Sequence, residues 1–580
     1  MTNQWKFQTL TEQQQLQSNR LAQELGISPV LTKLLVLRGI STFEEARQFF
    51  RPDLSELHDP FLMTDMDKAV ERLNLALGRK EKILVYGDYD VDGTTAVALV
   101  YKYLQQYTSN IDYYLPDRYT EGYGISYQGI DYAADHHFSL VIALDCGIKA
   151  VEKIKYANNR HVDFIICDHH MPDDQLPPAV AVLDPKRKDC SYPYHHLSGC
   201  GVGFKLMQAF AINNGIDMSS VFQLIDYVAV SIASDIVPIT GENRILAYFG
   251  LKKLSSNPNL GLKSIINLCA LNEKEISISD IVFKIGPRIN ASGRIQSARE
   301  AVDLLVANNE EFASEKCECL NKYNETRKDL DKNITDEASN YLSNLEGFCD
   351  TKSIVVYHPT WHKGVVGIVA SRLTELFYRP TIVLTLSNGL VTGSARSVPG
   401  YDIYKAIDSC RDVLENFGGH MYAAGLSLKE ENLEAFRERF EAYVCETITE
   451  EQLQPQLEID SLIEFKEITP KFFRILKQFA PYGPGNMKPV FCTQHVFDYG
   501  TSRLVGKEQE HIKMELVDAS SENVMNGIAF RMSEFNEALK AMNPLDICYT
   551  LEENNFNGNS TIQLMIKDIK ISALPKAKQP

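Results

Sequence analysis

Three short segments place acidic residues or histidines directly after an apolar run. They are Asp88-Tyr89-Asp90-Val91-Asp92-Gly93, Asp145-Cys146-Gly147 and Asp168-His169-His170. The preceding runs, residues 83–86, 140–144 and 164–167, have the unbroken apolar character of buried parallel strands. Because the carboxyl ends of parallel strands meet in one crevice, we expect these side chains to converge.

Such a group of side chains suits a divalent cation. Carboxylates and imidazoles are ligands for Mg²⁺, Mn²⁺ or Zn²⁺, and a cation would offset the repulsion among clustered carboxylates. The segments therefore predict a site for one or two divalent metals, with metal-assisted hydrolysis as its chemistry.

Each segment also has a less specific interpretation. The first could be a calcium loop, but Thr95 and Val97 follow its glycine and Val100 lies near the position of the closing Glu of an EF-hand. An Asp after a strand is often a helix N-cap, and for Asp145 alone this alternative carries equal weight. Adjacent histidines usually lie on the surface. The three segments together favour the metal site.

Length and composition restrict the class of protein. The 580 residues are too many for one hydrophobic core, and 44% hydrophobic with 23% charged residues is ordinary for a globular protein. No apolar stretch could span a bilayer, and the polar first residues lack a signal-peptide core, so we expect no membrane partner. The twelve cysteines include no CxxC pair, so we expect reduced thiols in a cytoplasmic protein. The net charge of −17 still permits local binding of nucleic acid.

The periodicity of apolar residues predicts an α/β protein with several domains. Strands alternate with helices after residue 76, residues 298–346 keep helical spacing without proline, and short alternating runs fill the last part of the chain. The expected parts are an N-terminal helical segment (1–75), a doubly wound parallel-sheet domain (76–297), a long helical connector (298–346), a second α/β domain (347–450) and a C-terminal β-barrel (455–575).

Small residues beside basic ones recur in the second half of the chain. These loops are residues 361–372, Gly393-Ser394-Ala395-Arg396-Ser397, Phe417-Gly418-Gly419-His420, and residues 287–294 with Arg288 and Arg294. Small residues let backbone N–H groups approach an anion, and arginine can bind phosphate through two hydrogen bonds. Each loop alone is more often a simple turn. Together they favour an anionic polymer as the ligand.

The motifs resemble those of a known enzyme superfamily. Residues 88–93, 144–147, 167–170 and Ala-Ser-Asp-Ile-Val at 233–237 resemble the four motifs of the DHH phosphoesterases. Residues 361–372, 393–397 and 417–420 resemble the associated DHHA1 domain. The order of the parts, the length and the segment Arg-Ile-Asn-Ala-Ser-Gly-Arg are similar to the bacterial single-stranded-DNA exonucleases of this superfamily, which implies an OB-like fold for the C-terminal barrel.

The resemblance implies roles for individual residues. Asp90, Asp92, Asp145, His169 and Asp235 would hold the metals, and Asp88 would either bind directly or lie behind the ligands. His170 would act at the scissile phosphate. Independently of the resemblance, we expect Asp145 to bridge both ions, because a carboxylate at the centre of the crevice can give one oxygen to each. Candidates for substrate binding are Arg118, Arg288 or Arg294, Ser394, Arg396 and His420. Ala395 stands where glycine is common in the family.

The implied activity is 5′→3′ degradation of single-stranded DNA to mononucleotides with two Mn²⁺ or Mg²⁺ ions, in recombination and repair. A helicase and a single-strand-binding protein are the expected partners besides the DNA. One alternative is a related enzyme that cleaves cyclic dinucleotides, short oligonucleotides or pyrophosphate, which the barrel disfavours. The other is a non-catalytic binding or replication-scaffold member, which the intact acids disfavour.

Overall fold

The N-terminal residues form one strand and three helices. The computed structural model describes residues 3–519, 521–556 and 559–572. Its first elements are β1 (Gln4–Phe7), α1 (Glu12–Leu25), α2 (Pro29–Leu37) and α3 (Phe43–Phe50). Capping boxes at Thr11 and Thr42 fix the starts of α1 and α3, because each threonine and the side chain three residues later satisfy backbone N–H groups at the helix start. The sequence pattern predicts only helices in this segment, so strand β1 was not foreseen.

The next part is the predicted doubly wound α/β domain. Its parallel strands lie in the order β3-β2-β4-β5-β6. The order reverses between β2 and β4, so the carboxyl ends of these two strands form the switch point where α/β proteins bind ligands. The elements are α4 (Met66–Gly78), β2 (Lys82–Gly87), α5 (Val91–Leu104), β3 (Ile111–Tyr114), α6 (Tyr127–Asp135), β4 (Phe138–Leu144), α7 (Val151–Asn159), β5 (Asp163–Cys167), β6 (Ala181–Leu183), α8 (Gly199–Asn213), α9 (Ser219–Phe222), α10 (Ile225–Ser234), α11 (Gly241–Ser256) and α12 (Leu260–Leu268).

Helices connect this domain to the next. They are α13 (Ile278–Asp280), a π-helical turn (Ile281–Ile285), α14 (Gly286–Ile295), α15 (Arg299–Leu305) and α16 (Glu310–Ser343). The 34 residues of α16 confirm the predicted long connector. Its buried residues recur every three or four positions, as at Cys317, Leu320 and Asn324, so one face packs against α14 and its neighbours.

The second α/β domain has a mixed sheet in the order β10-β11-β9-β8-β7. Its elements are β7 (Ile354–Tyr357), α17 (Val366–Phe377), β8 (Thr381–Ser387), β9 (Leu390–Arg396), α18 (Ile403–Asp408), β10 (Asn416–His420), β11 (Ala423–Leu428) and α19 (Leu433–Thr447). The expectation of loops at 393–397 and 417–420 was wrong, because most of these residues lie in β9 and β10, while their role in phosphate binding stays a prediction. Small size serves close strand packing at Gly393, where a Cβ would lie 2.0 Å from the carbonyl oxygen of Val383, and at Gly419, where it would lie 2.4 Å from that of Ala423.

The C-terminal part is the predicted OB-like barrel. Strands β14, β18, β19, β17 and β16 pair in this order, and β16 pairs back to β14, which closes the barrel. Residues on β16 alternate between buried and half-buried, as a barrel wall requires. The elements are β12 (Gln456–Ile459), β13 (Ser461–Leu462), α20 (Pro470–Lys477), β14 (Phe491–Asp498), β15 (Arg503–Val505), β16 (His511–Asp518), β17 (Ser521–Ala529), α21 (Asn536–Lys540), β18 (Leu545–Phe556) and β19 (Asn559–Ile571).

The chain folds as two units that do not follow sequence order. One unit is Met1–Ser55 with Pro455–Pro580, and the other is Glu56–Gln454. In the first unit, residues of α1–α3 share one hydrophobic core with the barrel, and β1 pairs with β12. The indole N–H of Trp5 donates to Asp568 Oδ2 at 2.7 Å. The domain boundaries given above stay predictions. In the described part of the chain, no helix combines the length and apolar character that crossing a membrane requires.

The shared core makes the N-terminal helices dependent on the barrel. In a chain that ends at residue 454, we expect residues 1–55 to be digested rapidly, because Leu31, Leu34 and Leu35 lose their apolar partners. Limited proteolysis with mass spectrometry measures this, and a chain of residues 56–454 serves as the comparison. Protection of residues 1–55 without the barrel would contradict the shared core.

Candidate active site

The first acidic motif passes from β2 into α5. Asp88 follows the strand, is fully buried, and its Oδ1 accepts the N–H of Gly124 at 3.4 Å. Asp90 is the N-cap of α5 and accepts the N–H of Gly93 at 3.0 Å. The helix-cap alternative therefore holds for Asp90, although a capping carboxylate keeps lone pairs for a cation.

Asp92 lies in the first turn of α5 and points at the start of α8. Its carboxylate accepts the backbone N–H groups of Gly199 and Cys200 at 2.7 Å each, and the hydroxyl of Ser231 at 2.7 Å. The N-terminus of α8 thus provides two N–H groups and the positive end of a helix dipole to this buried carboxylate.

Asp145 and His169 meet at the switch point. Asp145 follows β4 with a φ of 58°, and no helix begins there, since α7 starts at Val151. The N-cap alternative for Asp145 is therefore wrong. His169 Nε2 lies 3.2 Å from Asp145 Oδ1, 3.6 Å from Asp235 Oδ2 and 3.7 Å from Asp92 Oδ2. Residues from four separate segments thus converge on one point.

The donor atoms fit divalent cations. Among the described residues, Asp145 Oδ1, Asp88 Oδ2 and His169 Nε2 are buried atoms without a hydrogen-bond partner. Two sets of ligand atoms lie within 4.8 Å of one another: Asp92, His169 and Asp235, and Asp145, His169 and His170.

The electrostatics of the acidic group also favour a bound cation. Burial and the charge of Asp92 raise the pKa of Asp235 to about 8, and burial with the charges of Asp92 and Asp90 raises the pKa of Asp145 well above its usual range. A cation would remove this repulsion and allow all the carboxylates to ionise.

His170 is held by the first residue of its own motif. Asp168 Oδ1 lies 2.7 Å from His170 Nδ1, and Asp168 Oδ2 accepts the N–H of Ile148 at 2.9 Å. Burial opposes protonation, but the hydrogen bond to the Asp168 carboxylate raises the pKa of His170 to about 9. Asp168 therefore orients His170 with Nε2 toward the site, where it lies 3.2 Å from the hydroxyl of Tyr123.

Arginines from distant segments form a second group, which we call the arginine cluster: Arg118, Arg294, Arg327 and Arg396. Burial and the charges of the other three lower the pKa of Arg294 to about 10. Arg118 Nε donates to the carbonyl of Gly293 at 3.0 Å. Positive charges gathered around Arg294 favour the approach of an anion.

The second α/β domain contributes further residues to this cluster and its surroundings. Arg294 Nη1 donates to the carbonyl of Gly364 at 3.0 Å, which joins α14 to the segment before α17. Ser394 and Arg396 lie side by side on β9 against Gly367 of α17. A Cβ on Gly367 would lie 3.2 Å from Arg396 Nη2 and 3.3 Å from Ser394 Oγ. The small residue thus leaves room for both polar groups.

Two predicted substrate-binding residues lie elsewhere. Arg288 donates through Nε to Asn321 Oδ1 at 3.1 Å and through Nη1 to the carbonyl of Lys284 at 2.7 Å. Of Arg288 and Arg294, the structure therefore places Arg294 in the cluster. His420 is exposed at the end of β10, and strand register places it two strands from Arg396, at about 10 Å.

Several residues at the site were not foreseen as functional. Tyr123, 53% exposed, contacts His170 through its hydroxyl and Tyr89 edge-to-face at 6.1 Å between ring centroids. The guanidinium of Arg118 lies 4.0 Å from the centroid of the Tyr89 ring. The aromatic contacts link the arginine cluster to His170.

Gly199 offers a test of the metal site that changes no ligand. A Cβ there would lie 2.5 Å from Asp145 Cβ and 2.8 Å from its Cα, so Gly199→Ala must displace Asp145 or the start of α8. We expect Mn²⁺ affinity to fall by about 10- to 100-fold, as for residues that orient metal ligands. Isothermal titration calorimetry measures this. The control is Gly201→Ala in the same helix, because the atoms nearest to a Cβ at that position lie 3.4 Å away. Equal affinities in both variants would contradict this geometry.

Family models match the parts in the expected order. Residues 82–232 match the N-terminal domain of the DHH family, residues 350–446 match the DHHA1 domain, and residues 459–568 match the RecJ OB domain. These segments include Asp88, Asp90, Asp92 and Asp145, Ser394 with Arg396, and most of the barrel, whereas Asp235 follows the first segment by three residues.

Curated relatives and a solved structure cover nearly the whole chain. The single-stranded-DNA-specific exonuclease RecJ of Bacillus subtilis is 36% identical over 95% of this chain and 69% of its own length. That of Escherichia coli is 31% identical over 94% and 96%. The crystal structure of RecJ in complex with Mn²⁺ from Thermus thermophilus superposes with a TM-score of 0.84 and 25% identity, over 98% of this chain and 80% of that one. The chain therefore belongs to the RecJ family of single-stranded-DNA-specific exonucleases.

Proposed function

We propose that this chain is a metal-dependent exonuclease that degrades single-stranded DNA from its 5′ end to mononucleotides, in DNA recombination and repair. One observation carries the proposal: the acidic group and the arginine cluster are neighbours. Asp90 lies close enough to Arg118 for the guanidinium to oppose the rise in its pKa that burial and Asp92 cause. A strand could therefore have its terminal phosphate at the arginines and its first internal phosphate at the acids.

Six residues would hold two divalent cations, Mn²⁺ or Mg²⁺. Asp90, Asp92, Asp145, His169 and Asp235 would be ligands, and Asp88 would be the sixth because its Oδ2 is buried without a hydrogen-bond partner. When bound, the ions supply an activated water and offset negative charge at the scissile phosphate.

His170 would act on the substrate. The hydrogen bond from Nδ1 to Asp168 leaves Nε2 directed at the site, and the raised pKa keeps the ring protonated at neutral pH. Nε2 can then donate a hydrogen bond to a phosphate oxygen or a proton to the leaving 3′ oxygen. The hydroxyl of Tyr123, which contacts Nε2, would give way to the phosphate.

The arginine cluster would select the end of the strand. A terminal phosphate carries up to about two negative charges, whereas an internal phosphodiester carries one. Arg118, Arg294 and Arg396 with Ser394 would bind this extra charge, which explains cleavage at an end and not within a strand.

The barrel would bind further nucleotides of the same strand. Its match to the RecJ OB domain supports this role, since OB folds bind single strands through stacking and phosphate contacts. We place the enzyme in the cytoplasm, with a helicase and a single-strand-binding protein as the proteins that would supply its substrate.

Loss of one central ligand should abolish turnover. Asp145→Asn keeps the shape of the side chain but removes its charge. We expect the rate of hydrolysis to fall by more than about a hundredfold, which exceeds the effect of losing a residue that only orients a metal ligand. Release of mononucleotides from single-stranded DNA with Mn²⁺ measures this. Asp135→Asn, which breaks an exposed ion pair with Arg160 in the same domain, is the control. Near-normal cleavage by Asp145→Asn would end the metal proposal.

Loss of a cluster arginine should change the preference between strand ends. We expect Arg396→Ala to lose most of its preference for 5′-phosphorylated over 5′-hydroxyl strands, because its guanidinium is part of the pocket. Cleavage rates on the two substrates give the ratio. Arg411→Ala, at an exposed ion pair in the same domain, should keep the wild-type ratio. If both rates of Arg396→Ala fell by the same factor, Arg396 would be structural.

A further inference from the structure

Two buried hydroxyl groups stand behind the Asp92 carboxylate. Ser231 of α10 and Ser198, the N-cap of α8, are both fully buried. Ser231 Oγ lies 2.7 Å from Asp92 Oδ1 and 2.5 Å from Ser198 Oγ. A hydroxyl carries one proton and a carboxylate only accepts, so Ser231 donates to Asp92 and accepts a hydrogen bond from Ser198. Ser198 Oγ in turn accepts the N–H of Gly201 at 3.1 Å, so every donor in this chain is directed toward Asp92.

The hydrogen bonds of Asp92 leave one acceptor position for a ligand. Its Oδ1 accepts both the Ser231 hydroxyl and the N–H of Cys200, at 2.7 Å each, which occupies the two lone pairs of that oxygen. In the described part of the chain, Oδ2 accepts one N–H, that of Gly199 at 2.7 Å, and keeps its second lone pair. Oδ2 is also the oxygen that lies 3.7 Å from His169 Nε2. Asp92 can therefore bind a cation through Oδ2, while the protein holds Oδ1.

Ser231 also supports the backbone from which Asp235 extends. Asp235 is the C-cap of α10, and its N–H donates to the carbonyl of Ser231 at 2.9 Å. Residues four apart lie on the same face of a helix. Asp235 Oδ2 lies 3.6 Å from His169 Nε2, and Asp92, His169 and Asp235 form one of the two sets of ligand atoms. Two of the three members of this set thus depend on Ser231.

The other set of ligand atoms has different supports. It consists of Asp145, His169 and His170. Asp145 follows β4, and His170 Nδ1 lies 2.7 Å from Asp168 Oδ1. Among the residues that the structure describes, neither Asp145 nor His170 makes a hydrogen bond to Ser231. Loss of the Ser231 hydroxyl should therefore act on one set and spare the other.

We propose that Ser231, supported by Ser198, is a positioning residue for one of two metal ions. Its hydroxyl fixes Asp92 as a ligand through Oδ2, and its helix holds Asp235 beside the same ion. The role assigned to Ser231 rests on the proposed function, since it requires that the acids bind cations. The competing role is purely structural: the two hydroxyls would only satisfy each other in the core of the domain.

Calorimetric titration of the metal-free full-length chain with Mn²⁺ tests this role. For Ser231→Ala, we expect one of two binding steps to weaken by about 10- to 100-fold, as for other residues that orient metal ligands, and the other to stay within about threefold. The Mn²⁺ concentration that gives half-maximal hydrolysis of single-stranded DNA should rise by a similar factor. At saturating Mn²⁺, kcat should stay within about threefold of wild type, because excess metal compensates for lost affinity.

Two further variants separate positioning from packing. Ser234→Ala is the matched control: it is the same substitution in the same helix, next to Asp235, but among the described residues Ser234 Oγ is a buried atom without a hydrogen-bond partner. It should keep both wild-type affinities. Ser198→Gly removes the first hydroxyl of the chain, and glycine is accepted at an N-cap with little loss of stability. It should weaken the same step as Ser231→Ala, and the double variant should bind within about twofold of Ser231→Ala.

Wild-type affinities in both steps for Ser231→Ala overturn this role. An equal loss in both steps also overturns it, since a general loosening of the domain weakens all ligands alike. If Ser231→Ala does not fold, Ser198→Gly decides, and unchanged affinities in that variant reject the role. If the wild-type chain binds no Mn²⁺, the metal site of the proposed function fails together with the role of Ser231. Two wild-type steps that every variant retains reject the role of Ser231 alone.

Discussion

The repulsion among like charges at the switch point is the constraint on which the rest of the site depends. Asp88, Asp90, Asp92, Asp145 and Asp235 are brought together where water is largely excluded, and burial with mutual repulsion raises the pKa of four of them. A fold gains nothing from such a cluster by itself, since unpaired buried carboxylates are costly. Bound cations would offset this repulsion, so the arrangement of these carboxylates suits metal ions.

The scaffold controls this repulsion through rigid elements. Strands β2 and β4 fix the positions of Asp88 and Asp145, while the N-terminus of α8 donates two N–H groups to Asp92. Gly199 lets that helix approach the backbone of Asp145. The arginine cluster instead gathers positive charge, on side chains that come in part from α14, α16 and β9. In the proposed function, placing the two groups side by side would give an anionic strand a fixed register, with its end at the arginines and a phosphodiester at the acids.

Much of this organisation could be predicted from the sequence, because the signals are local. Apolar runs that end in acids or histidines identified three strands and the side chains that converge at their ends, and the long proline-free stretch identified α16. The residues that were missed depend on contacts distant in sequence. Strand β1, for example, has no partner until residues 456–459 pair with it. The glycines of β9 and β10 suggested loops because sequence alone does not show how close a neighbouring strand lies.

The central claim is that the switch-point acids and His169 form a site for two metal ions. Anomalous diffraction from crystals grown with Mn²⁺ tests it most directly, because manganese positions appear independently of any assumption about ligands. The account predicts two peaks, with Asp145 between them and His169, Asp92 and Asp235 at bonding distance from at least one. No peak at these residues, or manganese bound only elsewhere on the protein, would contradict it.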